Sequence, residues 1–135
     1  MMKINKIVIH CSDTPNGRPD TAEDVHKWHK ENGWDGIGYH YVICVDGDVQ
    51  KGRPNYWQGS HVRGHNSDSL GICLMGTDSF SKAQWNSLEG LVWSLTLDLG
   101  VGVNVVGHYN LDPKKTCPNF DVMAWWESKL RKRLD

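Results

Sequence analysis

The sequence predicts a mixed α/β fold in which helices flank a central sheet. Three observations predict it. Short apolar runs, KIVIHC at Lys6–Cys11 and LGICLM at Leu70–Met75, read as buried strands. Two longer amphipathic stretches open on capping boxes, T-A-E-D from Thr21 and S-K-A-Q from Ser81. Strand-like and helix-like stretches then alternate, with no repeat or linker between them. At 135 residues this suits one domain over 1–135.

Each element follows from local chemistry. Ser12–Asp20 carries two Pro and a Gly and reads as a loop. From Thr21, the residues Ala22, Val25 and Trp28 fall on one helical face, and Gly33 ends that helix. Tyr39–Val45 and Asp48–Lys51 form a hairpin, for which Asp46-Gly47 suggests a two-residue turn. Pro54–Asp68 is a long polar loop, and such loops inside compact domains are often functional. From Ser81, the residues Trp85, Leu88, Val92, Leu95 and Leu99 form the stripe of the longest helix, which Gly100 stops. Val103–Val106 is a short strand, followed by a loop through Asn119. Asp121 caps a last helix, with Phe120 placed to staple against Trp125.

Composition narrows the function. The formal net charge is -1 with both signs interspersed, which argues against nucleic-acid binding through a large basic surface. The first ten residues hold no long apolar run, so neither a signal peptide nor a membrane span is expected. Four Cys without a C-x-x-C pair are expected as thiols or metal ligands in a reducing compartment. Seven Trp are many for this length; some suit the core and others a groove for sugars or peptides.

Three residues stand out by position. His10 closes the first strand, His108 follows the Val103–Val106 strand, and Cys117 lies in the loop beyond. Ligands at strand ends and adjoining loops can converge at one sheet edge. Two His and one Cys make a three-ligand zinc set with the fourth position left for water. Spacing alone does not single out this trio from seven His and four Cys.

Local context adds to this. IVIHCSDT, GWDGIGYHYVICVDGDV, GSHVRGHNSDSLGICLMG and GHYNLDPKKTCPNFD, in that order, resemble the type 2 N-acetylmuramoyl-L-alanine amidases. The resemblance is closest to their small phage endolysins and runs from about Lys6 to Trp126. It implies zinc ligands at His10, His108 and Cys117, a catalytic tyrosine at Tyr39 and a catalytic lysine at Lys115. The S-H-x-x-G segment resembles a loop bordering the substrate groove, which makes His61 a candidate substrate contact. The larger superfamily includes animal peptidoglycan recognition proteins, some of which bind without cutting. Those typically lack the cysteine ligand, so Cys117 favours hydrolysis.

The implied reaction needs these groups. An amide is a poor electrophile and water a poor nucleophile. Zinc polarises the carbonyl and brings a water's pKa to about 7. Lys115 suits the developing oxyanion, and Tyr39 suits holding the attacking water or relaying a proton. His26 and His29 on the first helix read as surface or interface residues. Strand alternation sends His40 away from Tyr39, and Cys11 away from His10. Cys44 and Cys73 read as core thiols, and Arg131–Arg133 as complementing the last helix dipole. The implied partner is peptidoglycan or a muropeptide, met by a monomer. The implied location is the host cytoplasm, with holin-type release to the wall. One phage relative also inhibits its RNA polymerase through residues before the first strand. Here Met1–Asn5 precede it, so weak or no inhibition is expected.

Overall fold

The computed structural model describes residues 3–100 and 102–134. Strands β1 (Lys6–Cys11), β2 (Tyr41–Ile43), β3 (Val49–Lys51), β4 (Ser69–Leu74) and β5 (Asn104–Gly107) form one sheet in the order β3-β2-β4-β1-β5. Helices are α1 (Ala22–Glu31), α2 (Lys82–Leu99), the short α3 (His108–Leu111) and α4 (Val122–Leu134). Only β3 pairs antiparallel, at an edge; β2, β4, β1 and β5 run parallel. The parallel strands β1 and β4 are the apolar runs of the sequence, and interior parallel strands need apolar residues on both faces.

Alternation along β1 and β4 divides the core. Ile7, Ile9, Leu70, Ile72 and Leu74 pack against Leu88, Val92 and Leu95 of α2 and against Val122 and Trp126 of α4. Burying each such Leu or Val contributes roughly 1.5–3 kcal/mol. The other face sets Val42, Cys44 and Cys73 against Val25 of α1, and Val8 against Val62 and Val106. His10 shares that second face, opposite Cys73 in register.

Both capping boxes form: Thr21 with Asp24 on α1, and Ser81 with Gln84 on α2. Gln84 is buried; its Nε2 also donates to the carbonyls of Ile43 and Met75 at 3.2 and 2.8 Å. Asp121 Oδ1 accepts from the Ala124 N–H, and the Phe120 and Trp125 rings meet at 6.3 Å, as the sequence implies. Gly100 caps α2 with φ of 87°.

Two local expectations are corrected. The hairpin has a three-residue loop, not two, because Ile43 pairs with Val49 and the Cys44 N–H donates to the Asp48 carbonyl. Gly47, at φ of 89°, takes the left-handed position that such a loop requires. The stretch after β5 is not all loop, since α3 starts at His108, with Asn110 Oδ1 accepting from the Gly107 N–H at 2.8 Å. Among the described residues, no helix is long and apolar enough to cross a membrane.

Candidate active site

His10, His108 and Cys117 converge at the carboxyl ends of β1 and β5, with one candidate ligand atom from each lying within 4.8 Å of the others. Strand alternation delivers His10, and the start of α3 delivers His108. Cys117 arrives on two successive turns, closed by Lys115 N–H to the Asp112 carbonyl (3.0 Å) and Asn119 N–H to the Thr116 carbonyl (2.8 Å). The Tyr109 N–H holds the Cys117 carbonyl at 3.1 Å, and the Cys11 N–H donates to Cys117 Sγ at 3.0 Å. Two imidazoles and a thiol fit zinc chemically. These three side chains would hold such an ion, each offering one ligand atom to a shared point.

Electrostatics suit a cation. Burial, followed by the neighbouring His61 and His108, holds His10 well below the usual imidazole range. Burial, then Lys115, lowers His108. Both rings are therefore neutral at pH 7, the form that ligates. The adjoining Cys11 thiol, then burial, pushes Cys117 up, while its hydrogen bond to Cys117 lowers Cys11. A divalent ion held at the triad would favour the Cys117 thiolate, because a coordinating thiol is deprotonated.

Tyr39 and Lys115 line the same cavity of about 330 Å³ as the triad, with Ser12, Asp13 and Asn119. The Tyr39 ring lies 5.0 Å from His10. Burial, then the nearby Cys73 and Cys117, raises its phenol well above 10, so it is an O–H donor at neutral pH. Lys115 is exposed at the rim.

His26 and His29 are not merely surface residues. His26 Nδ1 accepts from the Ile37 N–H at 3.0 Å and His29 Nδ1 from the Gly38 N–H at 3.1 Å, clamping the segment before Tyr39 onto α1. The His29 ring also stands 5.5 Å from Tyr39. Cys11 closes β1. At the strand terminus its thiol adjoins Cys117, and Asn119 Nδ2 donates to it at 3.7 Å. Asn119 itself sits at φ of 68° and also donates to the Thr77 carbonyl at 2.8 Å.

His61 lies against His10, with Nδ1 2.9 Å from His10 Nε2. Its Nε2 is 3.2 Å from Ser69 Oγ. Both ring nitrogens are thus committed inside the protein. Burial first, then His40 and His108, pushes His61 down to about 3. His40 is fully buried; its Nδ1 accepts from the Gly71 N–H at 3.0 Å and its Nε2–H donates to the Trp57 carbonyl at 2.8 Å, tying the polar loop to β4. A hollow of about 500 Å³ between α1 and the end of β3 is lined by Ile37, Arg53 and Trp57 and lies apart from the triad. Trp126 fills the core, whereas Trp34 and Trp57 are exposed.

Cys11, Asn119, Ser69, His26 and His29 were not singled out by the sequence for these roles. Asn119 before Phe120-Asp121 carried one faint signal, since Asn tolerates the left-handed conformation.

Known proteins resemble this chain in both sequence and fold. The endolysin of Klebsiella phage KP32 is 37% identical over 131 residues, covering 91% of this chain and 85% of that protein. The endolysin of Escherichia phage T7 is 38% identical over 129 residues, covering 90% and 84%. The solved structure of N-acetylmuramoyl-L-alanine amidase LysC from Clostridium intestinale URNW superposes with a TM-score of 0.82 at 29% identity, over 98% of this chain and 87% of that one. The model of the Amidase_2 family, described as N-acetylmuramoyl-L-alanine amidase, matches residues 1–120, and the chain belongs to that family.

Proposed function

We propose that this protein is an endolysin that hydrolyses the amide between N-acetylmuramic acid and L-alanine in bacterial peptidoglycan, using one zinc held by His10, His108 and Cys117. The observation that carries this reading is the gathering of those three side chains in one cavity with Tyr39 and Lys115. A bound zinc supplies Lewis acidity toward the amide carbonyl and makes water nucleophilic at neutral pH.

The chain's own residues do the rest. Tyr39, kept protonated by its burial, donates a hydrogen bond that orients the attacking water and can pass a proton toward the leaving amine. Lys115 brings a fixed positive charge to the side of the cavity where the oxyanion develops. The clamp of His26 and His29 on Ile37 and Gly38 keeps the Tyr39 backbone in place. His61, a candidate substrate contact by its S-H-x-x-G segment, engages both ring nitrogens with His10 and Ser69, so we assign it no polar contact with substrate.

The protein acts as a monomer on the wall or on soluble muropeptides, reaching the wall from the host cytoplasm by holin-type release. The test is digestion of a purified N-acetylmuramoyl-peptide followed by mass spectrometry. The proposal expects free stem peptide and intact sugar, with cleavage stopped by a chelator and restored by zinc. An intact substrate after incubation with the zinc-loaded protein would refute it.

A further inference from the structure

The hydrogen-bond chain running inward from His10 has a fixed direction. It ends on the backbone carbonyl of His65, which can only accept. Ser69 Oγ–H donates to that carbonyl at 2.7 Å, so the Ser69 oxygen is left to accept from its other neighbour. His61 Nε2, at 3.2 Å, therefore carries the proton and donates it. In the neutral ring, Nδ1 is then the acceptor, and His10 Nε2 at 2.9 Å must be its donor. The His10 proton is thereby placed on Nε2, and Nδ1 is the nitrogen left with a lone pair.

The seat of His61 is built to hold this direction. A Cβ at Gly71 would stand 2.7 Å from His61 Cγ, and one at Gly59 2.7 Å from its Cδ2, so two glycines make room for the ring. Asn66 Oδ1 accepts from the N–H groups of both His61 and Val62 at 2.9 Å, fixing the backbone beneath it. His10 and Ser69 are 1% and 0% exposed, so a partner lost from either leaves a buried polar group to be satisfied.

We propose that His61 and Ser69 are positioning residues that set the tautomer of His10 and so present its Nδ1 to the metal. The purpose rests on the zinc reading above; the tautomer does not. Without an acceptor at His61, the His10 proton moves to Nδ1 and blocks the lone pair that would ligate. Partners of this kind orient ligand imidazoles and affect metal affinity by roughly 10–100-fold.

The experiment reads both properties. Imidazole nitrogen NMR on labelled, metal-free protein should show His10 protonated at Nε2. His61→Leu fills the seat without an acceptor and should move that proton toward Nδ1. It should also weaken zinc binding roughly 10–100-fold in competition with a chromophoric chelator. His61→Asn returns an oxygen acceptor near the place of Nδ1 and should recover most of both properties. Ser69→Ala removes one hydroxyl and should lower affinity about tenfold. Wild-type His10 protonated at Nδ1 overturns the proposal. So does a His61→Asn variant no better than His61→Leu. A Ser69→Ala variant unchanged in both readouts also overturns it, whether or not His61→Leu folds. If the wild type shows the stated tautomer but binds no zinc, the zinc reading fails and the positioning of His10 stands.

Discussion

The backbone N–H of Cys11 donates to Sγ of Cys117 at 3.0 Å, joining the end of β1 to a loop 106 positions along the chain. This bond pins the third candidate ligand beside the first. It also explains how a loop of two turns, exposed at Lys114–Thr116, can hold a ligand in place.

Cys117→Ser keeps an acceptor for that N–H but offers a much poorer ligand for zinc. The variant is expected to fold and melt near the wild-type metal-free protein while losing most zinc affinity and activity. Zinc content by atomic emission, beside a thermal melt, checks this. Full zinc occupancy in Cys117→Ser would remove Cys117 from the ligand set.

Tyr39→Phe removes one hydroxyl and keeps the ring beside His10 and His29. Lys115→Ala removes a charge from an exposed position. Both should retain zinc and thermal stability, and both should lower turnover roughly 10²-fold or more. Turnover, zinc content and melting temperature are measured on the same preparations. Loss of zinc in proportion to activity would make the residue structural, and full turnover would end its catalytic assignment.

Acid should destabilise the metal-free protein. Burial lowers His29 and His40, and each neutral ring accepts a backbone N–H at Nδ1, from Gly38 and Gly71 respectively. A folded pKa below the unfolded value means that the contribution is complete above about 6.5 and is lost as pH falls toward the folded pKa. The melting temperature should therefore drop below about pH 6.5. His29→Asn, which keeps an acceptor that does not titrate, should flatten the drop. A melting temperature constant down to about pH 5 contradicts this account.

Gln84→Met tests the joint between α2 and the sheet. It keeps the volume but strips partners from the Met75 carbonyl and the Ser81 N–H, while the Ile43 carbonyl keeps the Met75 N–H at 3.0 Å. Each buried polar group left unpaired costs about 1–3 kcal/mol, so a total loss of about 2–4 kcal/mol is expected in chemical denaturation. A loss below about 0.5 kcal/mol would mean that water or a neighbour replaces the amide.

What the sequence reveals follows from the range of the forces involved. Thr21 with Asp24 and Ser81 with Gln84 are contacts three residues apart, so both helix starts are legible. His10 and His108 are legible as residues at strand ends, because each strand announces itself by its apolar run. Cys117 needed the family resemblance, since nothing local tells where two turns will carry it. The tie from Cys11, the clamps of His26 and His29 and the pairing of His61 with His10 were hidden. They depend on approaches that only the assembled sheet creates. The hairpin loop gained a residue because the Cys44–Asp48 pair extends the ladder past β2, which the Asp46-Gly47 signal does not encode.

Among the described residues, Asp13 is the one acidic side chain lining the cavity that holds His10, His108 and Cys117, whereas glycoside hydrolysis ordinarily uses a pair of carboxylates. The most direct measurement is digestion of purified sacculi with zinc-loaded protein, following new amino groups and new reducing sugar ends together. The account predicts free amino groups on L-alanine, rising with clearing of the wall, and no new reducing ends. Reducing ends that appear at the rate of clearing would contradict it.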